Sequence, residues 1–369
     1  MVRRLLGPVV RIVVRVVGGL VILLMTLGLV LPFVVPFSST GTLDHRAAAD
    51  AWVAAGGSWS AEGADAATFL RLLDIDLHVE RLTGETGGAD DAPIIVLLHG
   101  FGSSTTTWSD IAPALAAAGT DVIAYDRPAF GFTERILDDA LATFRARTGV
   151  DLYGSDGQIA LLDALLDELL DTGDTGPPSP RPVLLVGHSA GGTLAAEYAL
   201  RRPERLAGVV LLAPAILTTG GAPAWVRPVL GFAPVARGGP FLARFAARGA
   251  DRLLDASWHD PSRVTDAMRA TYAAPQAVVD WERGLWELVR AAGTFLVAER
   301  PEDITVPVLL ITGDDDRVVP TADTLELARR IPKAELVVLE RVGHIPQEED
   351  AAGTLAAVQA FLASPRDGS

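Results

Sequence analysis

The sequence predicts an α/β protein: a doubly wound, mostly parallel sheet with helices on both faces and a helical lid insertion, preceded by an N-terminal transmembrane helix. Three observations carry that prediction. Short apolar runs alternate with helix-like stretches from residue 68 onward, the pattern of βαβ units that bury a parallel sheet between two helix layers. The alternation breaks over 216–301, where tryptophan and phenylalanine replace strand patterning. Residues 16–37 hold no charged side chain, over a length that crosses about 30 Å of hydrocarbon as a helix.

Composition bounds the reading. With 369 residues and 49% hydrophobic content, the chain can bury a full core and suits one large α/β domain with an insertion. The net charge is −15 and Lys333 is the sole lysine; so acidic a surface argues against nucleic acid as a partner. The chain has no cysteine, which removes disulfides, thiolate metal sites and thiol nucleophiles while leaving the compartment open.

Taken in order, residues 1–37 read as a membrane anchor with a basic flank. Arg3, Arg4, Arg11 and Arg15 precede the apolar run, which favours a cytoplasmic N-terminus and places the remainder of the chain on the extracytoplasmic side. A cleaved signal peptide usually has a shorter apolar region and an A-x-A-like site close behind it, whereas "SSTGTLDH" follows here. Residues 38–67, rich in small side chains, read as a flexible linker.

The first part of the core spans 68–215. "IDLHVERL" (75–82) alternates apolar and polar residues as an edge or half-exposed strand does, and "PIIVLLHG" (93–100) is continuously apolar as a doubly buried strand is. "DVIAYD", "PVLLVG" and "GVVLLAP" follow as strands, with "IALLDALLDELL" and "TLAAEYALRR" as helices and "DTGDTGPPSP" (171–180) as a surface loop. The insertion, 216–301, carries Trp225, Trp258, Trp281 and Trp286 with Phe232, Phe241 and Phe245. It should sit above the carboxyl ends of the strands, where ligands bind in open α/β sheets, as a lid and acyl pocket. Each tryptophan taken singly reads as packing. The second part of the core, 302–369, supplies "VPVLLIT" and "AELVVLE" as the last strands.

"LLVGHSAGG" (184–192) is the most informative stretch. An apolar run ending in Gly-x-Ser-x-Gly and turning at once into a helix places Ser189 on a sharp, strained bend with its hydroxyl exposed. A serine hydroxyl needs a base to remove its proton, and that base needs a carboxylate to fix its tautomer. Of six histidines, His45, His78, His99, His188, His259 and His344, only His344 stands in a loop between the last strand and the last helix, in "RVGHIPQEE". The acid should come earlier, in the chain order serine, acid, histidine. Asp314, Asp315 and Asp316 directly follow "LLIT"; Asp316 is the choice, with Asp315 as the alternative.

The chain resembles the α/β-hydrolase family over roughly 93–363. "HGFGSSTTTW" is similar to that family's oxyanion loop, "YDRPAFGFT" to its loop after the next strand, "GHSAG" to its nucleophile elbow, "GDDDRVVP" to its acid loop and "GHIPQEE" to its histidine loop. The resemblance implies Asp316 as the acid, three residues after Gly313, and an oxyanion hole made by the backbone N–H groups of Phe101 and Ala190. It implies acyl transfer with no cofactor and no metal. A serine at the elbow argues against dehalogenase and epoxide hydrolase chemistry, which uses aspartate there. The serine C–C hydrolases that cleave ring-fission products usually carry an aromatic residue after the histidine and a longer glycine-rich oxyanion loop, against Ile345 and "HGFGSS" here. The expected activity is a membrane-anchored carboxylesterase acting on small-molecule esters of apolar acids. C–C hydrolase or haloperoxidase-like chemistry is the alternative, and a non-catalytic binding module the other class of reading. Asp126 and Arg127 read as structural.

Overall fold

The computed structural model describes residues 33–60, 67–84, 93–170, 181–218, 227–293 and 295–364. Its strands are β1 (Thr68–Leu72), β2 (Ile75–Leu82), β3 (Ile94–Leu98), β4 (Val122–Tyr125), β5 (Val183–His188), β6 (Leu206–Leu212), β7 (Val308–Gly313) and β8 (Glu335–Leu339). They form one sheet in the order β1-β2-β4-β3-β5-β6-β7-β8. Pairing is antiparallel at β1–β2 and β2–β4 and parallel from β4 through β8. Strands β3 to β7, apart from the start of β6, are buried along their length, because helices cover both faces and leave no polar side for alternation to mark.

Among the described residues the helices are α1 (His45–Ala54), α2 (Ala112–Ala117), α3 (Asp138–Thr148), α4 (Ser155–Leu170), α5 (Ala190–Arg201), α6 (Arg227–Leu230), α7 (Ala233–Ala247), α8 (Ala250–Ser257), α9 (Asp266–Ala273), α10 (Trp281–Ala291), α11 (Leu296–Glu299), α12 (Thr321–Arg330), α13 (Pro346–Glu349) and α14 (Ala351–Ala363). One face of the sheet packs with α3, α4, α5 and α12 through Phe144, Leu162, Leu194 and Leu327. The other packs with α2 and α14 through Leu115, Val358 and Phe361. Helices α6 to α11 lie in the chain between β6 and β7. Trp258, Trp281 and Trp286 there are buried, while Phe232 and Phe245 face solvent. Trp225 lies outside the described residues, as does the loop expected over 171–180.

Three expectations need correction. Strand β2 is not an edge strand: β1 pairs outside it, and Asp76, His78 and Glu80 on its polar face are buried. They tolerate burial because each has partners, Arg46 and Arg71 for Asp76, Asp126 for His78, and the N–H groups of Trp59 and Ser60 for Glu80. The stretch expected as a flexible linker contains α1, capped by the Asp44 side chain and packed through Ala48 and Ala49 on Phe132 and Val278. Ahead of α1 the chain is stapled to the insertion. The buried Glu282 carboxylate on α10 accepts the Ser39 hydroxyl at 2.7 Å and the Thr40 N–H at 3.0 Å, and Leu43 bridges Val278.

The third correction concerns the membrane. No helix among the described residues is long and apolar enough to cross one, so the single-pass anchor and the extracytoplasmic placement drawn from it find no support among the described residues. Residues 16–32 of the expected span lie outside the described residues. Its last residues lie on the insertion instead: Phe37 meets Phe241 edge-on with centroids 5.0 Å apart, and the Arg237 guanidinium sits 4.3 Å over the Phe33 ring.

Candidate active site

Ser189 joins β5 to α5 with φ 51° and ψ −118°, a conformation costly for a side chain with a Cβ and characteristic of functional bends. The turn is possible because Gly191 has no side chain: a Cβ there would stand 2.1 Å from the Leu98 carbonyl oxygen. The bend is pinned by backbone bonds, the Ser189 N–H to Leu212 at 2.9 Å and its carbonyl to the N–H groups of Thr193 and Ala215.

The loops after β7 and β8 bring the expected partners to this hydroxyl. His344 Nε2 lies 3.0 Å from Ser189 Oγ, and His344 Nδ1 lies 2.7 Å from Asp316 Oδ2. The other Asp316 oxygen accepts the N–H groups of Val318 and Val319 at 2.9 and 2.8 Å, which fixes the carboxylate's rotation. All three side chains are buried, Ser189 being 8% exposed. The neighbouring acids point elsewhere. Asp314 caps the N–H groups of Arg341 and Val342, and Asp315 meets His259 Nδ1 at 2.8 Å.

The N–H of Ala190 opens α5 and that of Phe101 lies in the turn after β3; among the described residues neither donates to a protein acceptor. A helix N-terminus is a favourable place for negative charge. The Phe101 ring is 53% exposed and packs edge-on against Phe130, with centroids 5.3 Å apart.

Two further histidines brace this region. His99 donates through Nδ1 to the Gly100 carbonyl at 2.7 Å and accepts the Arg127 N–H at Nε2, partners that assign its neutral tautomer. Burial, with the nearby Arg127 charge, lowers its pKa to about 4. His188 donates Nε2–H to the His344 carbonyl at 2.8 Å, and its ring lies 4.9 Å from that of His344. Burial, and then the proximity of His344, hold it well below the usual imidazole value. Asp126 accepts the N–H groups of Thr105 and Phe132, and Arg127 reaches the His99 carbonyl and Gln158. A possible cation cage at His45, Asp76 and Glu134 is already neutralised by Arg46 and Arg71.

The serine–histidine–carboxylate contacts stand where strand carboxyl ends converge, and residues 93–351 match the family model described as the alpha/beta hydrolase fold. The chain belongs to the α/β-hydrolase family. Among curated relatives, a 2-hydroxy-6-oxononadienedioate/2-hydroxy-6-oxononatrienedioate hydrolase of Cupriavidus pinatubonensis is 29% identical over 294 residues, covering 77% of this chain and 90% of that one. A 2-hydroxymuconate semialdehyde hydrolase of a Pseudomonas species is 29% identical over 279 residues, covering 73% and 86%. The crystal structure of a bromoperoxidase from Bacillus anthracis superposes with a TM-score of 0.60 at 20% identity, over 81% of this chain and all of that one. The family is a hydrolase family, the match fits a small-molecule substrate, and neither of these curated relatives is named for an ester.

What the sequence reading missed is the bracing. In the sequence His188 is only the residue after Gly187, and nothing singles out Glu349, five residues after His344. Their partners are backbone groups 156 and 90 residues away, and no local pattern marks such contacts.

Proposed function

We propose that this α/β-hydrolase family member is a serine hydrolase that cleaves a carbon–carbon bond next to a ketone or aldehyde carbonyl. Ser189 is the nucleophile, His344 the general base and acid, and Asp316 the group that orients the imidazole and stabilises its charged form. The observation that carries the reading is the continuous contact from Ser189 Oγ through both His344 nitrogens to Asp316 Oδ2, at 3.0 and 2.7 Å. Ser189 Oγ bonds to the carbonyl carbon while His344 takes its proton. The tetrahedral oxyanion is held by the N–H groups of Phe101 and Ala190, each donor contributing about 3 kcal/mol in comparable sites. The bond from carbonyl carbon to its neighbour then breaks, the electron pair leaves with the departing fragment, and His344 returns the proton to it. Water, deprotonated by the same imidazole, releases the acyl group and restores Ser189.

The choice of bond is supported by the relatives named for hydrolases of 2-hydroxy-6-oxo and semialdehyde compounds. Ester hydrolysis is the second reading. It is favoured by Ile345, where the C–C hydrolases usually carry an aromatic residue, and by the short "HGFGSS" loop.

The test compares 2-hydroxymuconate semialdehyde with a p-nitrophenyl ester series, acetate to palmitate, on the purified chain and on Ser189→Ala. A kcat/KM for the dienol substrate at least about 100-fold above the best ester, lost in the variant, is the expected result. Ester turnover without C–C cleavage would replace the first reading by the second. Turnover of neither, with Ser189 unlabelled by a fluorophosphonate, would remove both.

A further inference from the structure

The loop that carries His344 is held from outside the core. Its backbone N–H donates to the Ser257 carbonyl at 2.6 Å, and Ser257 ends α8 of the insertion. Two residues on, the insertion meets the same loop again. Glu349 Oε2 accepts the N–H of Gly343 at 2.6 Å and that of His259 at 3.0 Å, and Oε1 accepts the Asp260 N–H at 3.1 Å.

Three features show that this contact is built for closeness. The Glu349 side chain is fully buried, so its oxygens are supplied by backbone donors rather than by water, and hydrogen bonds to a carboxylate are stronger than neutral ones. A Cβ at Gly343 would stand 2.4 Å from the Ser257 carbonyl oxygen and 2.8 Å from the His259 nitrogen, so only glycine lets the two segments pass. The His259 ring then reaches the acid loop, with Nδ1 2.8 Å from Asp315 Oδ2, one residue before Asp316. Insertion residues 257–260 thus touch the loops of both the base and the acid.

We infer that Glu349 is a positioning residue: it clasps insertion residues 259–260 to the backbone of the base loop, so that the insertion and His344 move as one body. The inference rests on the proposed role of His344 as base. Glutamine at 349 is isosteric but presents an amide donor to at least one of three backbone donors, so the clasp opens without a cavity. His344 then loses its fixed distance to Asp316. A loosened imidazolium–carboxylate contact stabilises the charged imidazole less in the transition state, so proton transfer from Ser189 slows.

The experiment compares the full chain with E349Q and H344A in the steady-state kinetics of ester or dienol hydrolysis, alongside amide hydrogen exchange on the unmodified chain. The expected result for E349Q is a kcat lowered about 10-fold or more, since small misplacements of catalytic groups cost rate steeply. KM should stay within about twofold, so that the loss falls on kcat. In the unmodified chain the amides of Gly343, His344, His259 and Asp260 should exchange with one common protection. A folded E349Q with unchanged kcat, or with its loss in KM rather than in kcat, would overturn the inference. So would His259 and Asp260 amides exchanging far faster than those of Gly343 and His344, a result that stands even if E349Q does not fold. Activity retained in H344A would instead refute the base assignment itself, and the clasp with it.

Discussion

Asp316 faces His344 with one oxygen and its own backbone turn with the other: Oδ2 lies 2.7 Å from His344 Nδ1, while Oδ1 accepts the N–H groups of Val318 and Val319. The carboxylate therefore cannot rotate away from the imidazole without giving up two hydrogen bonds. Asp316→Asn keeps an oxygen for the backbone donors and turns an amide toward Nδ1, which imposes the wrong tautomer on His344. Its kcat should fall by about 10³- to 10⁴-fold with little change in thermal stability, as read by steady-state kinetics and a thermal melt. Asp315→Asn, one residue away, should keep most of the activity, because Asp315 faces His259 and Arg317.

The segment ahead of α1 contributes to stability through one buried carboxylate. Glu282 accepts Ser39 Oγ, the Thr40 N–H and hydroxyl, and the Arg244 guanidinium. Glu282→Ala takes the carboxylate away from these donors and leaves the Arg244 charge with only the Ser38 carbonyl, and removing one partner of such a buried group costs about 3 kcal/mol. The urea midpoint should fall accordingly, and limited proteolysis should cut first within 33–44. A variant as stable as the parent would show that the segment is not held there.

Glu348 gives a pH dependence whose sign is fixed. Its carboxyl accepts the hydroxyls of Tyr272 and Thr107 at the junction of α9, α13 and the turn after β3, and burial pushes its pKa from 4.5 up to about 7. The folded state then binds more protons than the unfolded state between those values, so this group's contribution to stability is full below pH 4.5 and is lost as pH rises through 7. His99, lowered to about 4, acts in the opposite sense as pH falls below 6.5, but equally in parent and variant. The melting temperature of Glu348→Gln minus that of the parent should therefore increase from pH 5 to pH 7.5. A difference that is flat across this range would contradict the assignment.

Much of this architecture was legible in the sequence, for identifiable reasons. Continuous apolar runs reveal doubly buried strands, so β3 to β7 are visible as such, and the residues of the serine–histidine–carboxylate constellation each stand in a short motif at a strand's end. Strand β2 misleads because Asp76, His78 and Glu80 alternate like solvent-facing residues while being buried against charged or backbone partners. The hold of Ser39 and Thr40 on Glu282 spans more than 240 residues and uses small polar side chains that read locally as a linker. Glu349 is invisible for a related reason: its partners are backbone N–H groups, which every sequence supplies. The apolar N-terminal run suggested an anchor, yet hydropathy could not foresee that its last residues would pack on α7.

Activation of Ser189 by His344 underlies the whole proposed mechanism. The most direct measurement is the rate of fluorophosphonate labelling at Ser189, read by mass spectrometry of the labelled peptide, in the full chain, in Ser189→Ala and in His344→Ala. Labelling should be confined to Ser189, absent in Ser189→Ala and slower by about 10³-fold or more in His344→Ala. An unlabelled Ser189 in the parent, or equal rates in the parent and His344→Ala, would contradict this mechanism.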